Sequence, residues 1–249
     1  MSVQTIAVIN KSTKVSNAQV GLIVQALNTL LPQFCNAWYI RPTSCTAFTA
    51  TQNPSIPYKI YIFDTPDVGG VLGYHSESGG IPYGKVFVSP ILAAQGGGIL
   101  VGGRVGAPTV SQVLCHEVFE LLLDPNVNTW WVNPTSTAFY AAEACDPVQG
   151  NAVIVSVQGQ KVWLSDYILP KWSDVQQKTG PYNYLNTLKA PLTVDKGGYL
   201  IQVLAGNVSY IFGTDMSDYT KQGAVMDERA PFSVRVGAAA AFGISIEKE

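Results

Sequence analysis

The stretch from Ser111 to Pro125, SQVLCHEVFELLLDP, constrains this chain more than any other. Its spacing predicts a helix that starts near Ser111 and stops near Asp124, because Pro125 cannot continue the backbone hydrogen bonding. The run is apolar enough to require burial, yet it holds three ionisable groups, His116, Glu117 and Glu120, within five positions. Buried carboxylates without a counter-charge are costly, so a fold that encloses this helix must also supply a partner for them.

The segments around the helix predict an α+β fold. VQTIAVIN reads as a first strand, and SNAQVGLIVQALNTLLPQF has helical spacing with Ser16 as its N-cap. AWYI and TAFTA read as extended chain, and YKIYIFD as a firmer strand. In GGVLGYHSESGGIPYGKVFVSP two extended pieces flank a turn, with KVFV the stronger. QGGGILVGGRVGAP is a glycine-rich loop or bulged ribbon. It lacks the Gly-Lys-Ser/Thr ending of a phosphate-binding loop. NTWWVNP and TAFYAAEACDP lead into NAVIVSVQGQKVWLSDYILP, a hairpin with an extended exit. GGYLIQVLAGNVSYIFG and PFSVRVGAAAAFGISIE predict a β-rich remainder. No repeat or linker divides the chain. The expectation is one α+β domain over residues 1–190 and a β-rich C-terminal extension over 191–249, packed on the same unit.

Composition narrows the function classes. Charged residues make up 13% of the 249 positions, about half the usual share for a globular protein. The formal charge of −2 provides no basic field for nucleic acid or an anionic membrane. Trp130, Trp131, Trp163 and Trp172 are therefore read as core or interface anchors rather than a base-stacking platform. The start MSVQTIAVINKS lacks the basic head and apolar core of a signal peptide, and no apolar run has membrane-spanning length. Cys35, Cys45, Cys115 and Cys145 read as free buried thiols, consistent with manufacture in a reducing compartment.

Spacing gives the helix a metal-binding reading. Residues four apart share a helix face, so His116 and Glu120 can offer a ring nitrogen and a carboxylate oxygen to one cation. Glu117, about 100° further round, points toward a water beside such a cation. A third ligand is expected from YAAEACDP: were that stretch helical, Glu143 would coordinate and Asp146 would orient His116 through its second ring nitrogen. The alternatives are a satisfied structural histidine for His116 and a solvated helix face for Glu120. Asp124 is read as an end cap, His75 as a loop hydrogen bond rather than a substrate contact, Cys115 as packing and Asp166 as a turn cap. A mixed nitrogen and oxygen shell suits zinc, and also manganese, iron or nickel.

His116-Glu117-x-x-Glu120 resembles the zincin-like metallopeptidases, whose helix carries His-Glu-x-x-His and whose third ligand lies downstream. HEVFELLLDP, EACDPV and VWLSDYILPKW, with LGYHSESGGIPYGKVFV upstream, look more like an uncharacterised zincin-like group encoded by tailed phages and some bacteria. These patches span roughly residues 70–172. The resemblance implies a mixed sheet beside a central metal-site helix. It also implies an edge strand that aligns a peptide, a role it would assign to KVFV. Glu120 departs from the pattern by standing where the second histidine is usual. A shell of His116, Glu120 and Glu143 brings zinc close to neutral charge, so bound water would ionise less readily.

Two functions follow from these readings. One is a virion structural or accessory protein on a divalent-metal-binding scaffold, made in the host cytoplasm and assembled with other virion proteins or with itself; a chain not phage-encoded would be cytoplasmic. The other is a zinc-dependent peptidase or amidase with Glu117 as the base. The ligand substitution places the structural role ahead.

Overall fold

The computed structural model describes residues 3–133 and 136–214. Its elements in chain order are β1 (Gln4–Asn10), α1 (Asn17–Ala37), β2 (Thr43–Phe48), β3 (Lys59–Phe63), β4 (Gly73–Ser78), β5 (Ile81–Phe87), a short α2 (Val88–Ala93) and α3 (Val110–Leu123). There follow β6 (Trp130–Asn133), β7 (Ala138–Ala141), β8 (Ala152–Val157), β9 (Gln160–Ser165), β10 (Tyr199–Leu204) and β11 (Asn207–Phe212). The architecture is mixed α+β with a β-rich C-terminal region. The strand expected at PFSVRVGAAAAFGISIE lies outside the described residues.

Five strands form the main sheet in the order β2-β1-β3-β5-β4. The first four run parallel, and β4 closes the sheet antiparallel to β5. Alternation along the strands sends Ile6, Val8, Ile60 and Ile62 into one core with α1, α3 and the β8–β9 hairpin. The intervening Tyr61 and Phe63 stack on the other face, their ring centroids 5.9 Å apart. At the centre, Phe34 of α1 stacks on Phe119 of α3 at 4.2 Å, and Tyr167 meets both rings edge-on at 5.1 Å. Each such side chain contributes about 1.5–3 kcal/mol through apolar burial.

Sequence signals explain most of these boundaries. Ser16 caps α1 as expected: its hydroxyl accepts from the Gln19 N–H while the Gln19 side chain accepts from the Ser16 N–H. AWYI is not extended. The helix passes Pro32 and runs to Ala37, and the chain then reverses at Tyr39 with φ 54°. Pro32 is tolerated because the helix is held by buried residues on both sides of it, Leu30 and Leu31 before, Phe34 and Cys35 after. The β4–β5 turn uses Gly79 and Gly80, both at positive φ, the requirement of a tight two-residue hairpin.

The outer edge of β2 is closed by a side chain. Asn28 of α1 donates to the Cys45 carbonyl at 2.9 Å and accepts from the Cys45 N–H at 2.7 Å, so one carboxamide takes the place of a neighbouring strand. A second sheet, in the order β11-β10-β7-β6, has its own core around Trp172, which donates through Nε1 to the Thr193 carbonyl. Trp131 packs edge-on against Trp172 and stacks on Trp38, so these indoles anchor structure, as their apolar setting predicts. All four cysteines are free and buried. Among the described residues, no helix is long and apolar enough to cross a membrane.

Candidate metal centre

Helix α3 packs against β4 and β5 and against β9. Thr109 caps its start by accepting from the Gln112 N–H at 3.0 Å. At its other end Asp124 is the C-cap, and its carboxylate accepts from the Asn128 and Thr129 N–H groups. Both ends are thus fixed, and the middle of the helix carries the site.

His116 and Glu120 meet as the i, i+4 spacing requires, with Nε2 and Oε2 2.9 Å apart. The second oxygen of Glu120 accepts from the Cys145 N–H at 3.1 Å, which ties the helix to the segment after β7. That segment is not the helix expected of YAAEACDP. It leaves β7 at Ala141 and forms only a 3-10 turn at Asp146–Val148, because Pro147 and the pairing of β7 with β6 and β10 hold it open. Asp146 does reach His116, but its Oδ1 lies 3.2 Å from Nε2, the nitrogen that also faces Glu120. The expected contact through the opposite ring nitrogen is therefore replaced by two carboxylates converging on one nitrogen.

His75 is the largest correction. It occupies the middle of β4 rather than a loop, since the glycines and serines around it form the turn only beyond Ser78. Its side chain is buried against α3. Nδ1 stands 3.8 Å from Oε2 of Glu117 and 3.8 Å from Oε2 of Glu120, and Nε2 lies 3.2 Å from the Asp124 carbonyl. KVFV is corrected as well: β5 is an interior strand between β3 and β4, and β4 is the sheet's edge beside α3.

Two groups of potential ligands result, each with its donor atoms within 4.8 Å of one another: His116, Glu120 and Cys145, and His75, Glu117 and Glu120. Glu120 belongs to both. Glu143 is buried, at 3% exposure, on the same segment as Cys145, but neither group includes it. Both of the chain's histidines are at this centre. Reasoning from sequence missed His75 and Cys145 as donors. Alternation along GYHSES, with His75 inward, was the available signal for the first, and the position of Cys145 between Glu143 and Asp146 was the signal for the second.

Charge explains why the centre invites a cation. Glu117, Glu120 and Asp146 are each at most 5% exposed and lie against the two imidazoles, so carboxylates outnumber the rings at this buried centre. Burial alone would lower the His116 pKa, but the Glu120 and Asp146 carboxylates raise it well above the ordinary histidine value. Burial raises Glu117, with its contacts to both rings opposing. For Glu120 burial acts upward, and the charge and hydrogen bond of His116 prevail to lower it. Burial, then the charge of Glu120, pushes the Cys145 thiol well up, so a cation would have to displace its proton. The buried nitrogen, oxygen and sulfur donors fit a divalent metal such as zinc.

Comparison with family models, with curated proteins and with solved structures finds no match to this chain.

Proposed function

We propose that this chain is a divalent-metal-dependent hydrolase of peptide or amide bonds, related to the zincin-like group it resembles. The observation that carries the reading is the close apposition of the half-buried His116 Nε2 and the buried Glu120 Oε2 on α3, with Glu117 on the adjoining face. His116 and Glu120 would hold zinc or a similar cation, with Glu143 or Cys145 of the following segment as the third donor. When bound, the cation would polarise a substrate carbonyl and acidify water. Glu117 would take the proton from that water and return it to the leaving nitrogen. Asp146 would hold the His116 ring. The edge of β4, beside α3, offers main-chain groups with which an extended peptide can pair.

Metal analysis on tag-free protein, paired with cleavage of a peptide library, tests the reading. Wild type should hold cation and cleave, and His116→Ala should lose cleavage together with the cation that His116 would hold. Glu117→Gln should keep the first cation and lose turnover by roughly 10²–10⁴-fold, the usual worth of a general base. Full occupancy with no cleavage across broad substrates would remove the hydrolase reading.

A virion structural or accessory role rests on the likeness to phage-encoded chains and on the 13% charged composition. The two buried donor clusters favour the hydrolase. Incorporation in purified particles at a fixed copy number, read by mass spectrometry, would reverse that preference.

A further inference from the structure

We propose that His75, Glu117 and Glu120 form a second divalent-cation site, adjoining the first through Glu120. The inference rests on the reading of Glu120 as a ligand of the first cation, and it adds a nitrogen donor from a different element, β4.

The tautomer of His75 carries the argument. Its Nε2 lies 3.2 Å from the Asp124 carbonyl oxygen. A carbonyl can only accept, so Nε2 holds the proton and, in the neutral ring, Nδ1 presents its lone pair. That lone pair faces Oε2 of Glu117 and Oε2 of Glu120, each at 3.8 Å. Such a spacing is too long for a hydrogen bond. It is close to the roughly 3.4 Å between two ligands that each sit about 2.1 Å from one tetrahedral ion. The three donors lie within 4.8 Å of one another. The N–H to carbonyl contact behind the ring is the support that metal-bound histidines ordinarily have.

The surrounding structure fits the role. His75, Glu117 and Glu120 are 7%, 5% and 3% exposed, so a cation there would be shielded from water. The supporting carbonyl belongs to the C-cap of α3, the helix that also supplies both carboxylates, so strand and helix fix the three donors relative to one another. Position 73 is glycine where a Cβ would lie 2.7 Å from Glu117 Oε1, which lets the carboxylate lie against β4. Oε2 of Glu120 is 2.9 Å from His116 Nε2 and 3.8 Å from His75 Nδ1, so one oxygen faces both rings. Two cations sharing it would be about 3.5–4 Å apart, the usual spacing of paired metal sites. A cation held by Glu117 Oε2 lowers the basicity of the whole carboxylate, so filling this second site opposes the base role of Glu117.

The test counts cations. Full-length protein stripped with chelator and dialysed against zinc should bind two equivalents, measured by elemental analysis and titration calorimetry. His75→Ala should bind one, and His116→Ala should also bind one. His75→Gln, which can still donate to the Asp124 carbonyl, guards against a folding defect in His75→Ala; it should keep the fold by circular dichroism and bind the second zinc at least tenfold more weakly. One equivalent in wild type, unchanged in His75→Ala and His75→Gln, would overturn this inference and leave the first site standing. One equivalent lost in His75→Ala but kept in His116→Ala would uphold the His75 site and overturn the first.

Discussion

Glu120 links the two sides of the site through its two oxygens, one toward both histidines and one to the Cys145 N–H. Its burial is sustainable only with those partners, and removing one partner of a buried charge is far costlier than the pair is worth. Gly73 has an equally local role. A methyl group there would meet Glu117 Oε1 and Val113 Cγ1 at 2.7 Å and the Lys85 carbonyl at 2.9 Å. Gly73→Ala should therefore destabilise the fold by about 1–3 kcal/mol, the usual cost of overpacking, and move Glu117. Chemical denaturation gives the first quantity, and a structure of the variant shows the second; an unmoved Glu117 with unchanged stability would contradict the contact. Asp166 offers a test by pH. It accepts from the Tyr167 and Leu185 N–H groups and from Asn183 and Asn151, yet burial outweighs these bonds and lifts its pKa to about 6 from an ordinary 3.8. Because the folded value is the higher one, its contribution to stability is fully present below the unfolded pKa and is lost as pH rises through about 6. Carboxyl-carbon NMR should find its midpoint near that pH, and a midpoint at or below the ordinary value would refute the burial argument.

Among the elements, helix α1 and strand β2 depend on each other through Asn28. Asn28→Ala would leave the Cys45 N–H and carbonyl without that carboxamide, at a cost of about 1–3 kcal/mol. Hydrogen exchange should show faster opening of the Cys45 amide while β1 stays protected. Uniform acceleration across the sheet would instead mean a global effect. The hairpins were the most legible elements. Gly79–Gly80, Gln158–Gly159 and Ala205–Gly206 each place two consecutive residues at positive φ between strands that alternation already predicts. The segment after β7 was the least legible. Its carboxylates at 143 and 146 have helical spacing, but pairing of β7 on both edges keeps the chain extended up to Ala141.

At the scale of the whole molecule, the centre joins strand β4, helix α3 and the segment after β7, so a cation bound there should stabilise the folded state as a unit. By mass action a ligand at a hundred times its dissociation constant adds about 2.7 kcal/mol. Zinc should raise the Tm of stripped protein, EDTA should reverse the gain, and the combined His75→Ala, His116→Ala variant should show none of it. A Tm indifferent to zinc in wild type would count against both sites.

The sequence by itself determined that α3 is buried, where it begins and ends, and that His116 and Glu120 meet on one face. Those properties depend on helical periodicity and on Pro125, which are local. It also determined the alternating strands and the free thiols. Only the tertiary structure decided that β4 rather than β5 is the edge, that Cys145 approaches His116, and that His75 turns toward Glu117 and Glu120. Strand order and the meeting of His75 with Glu117 and Glu120, or of Cys145 with His116, depend on how layers pack, which no local period encodes.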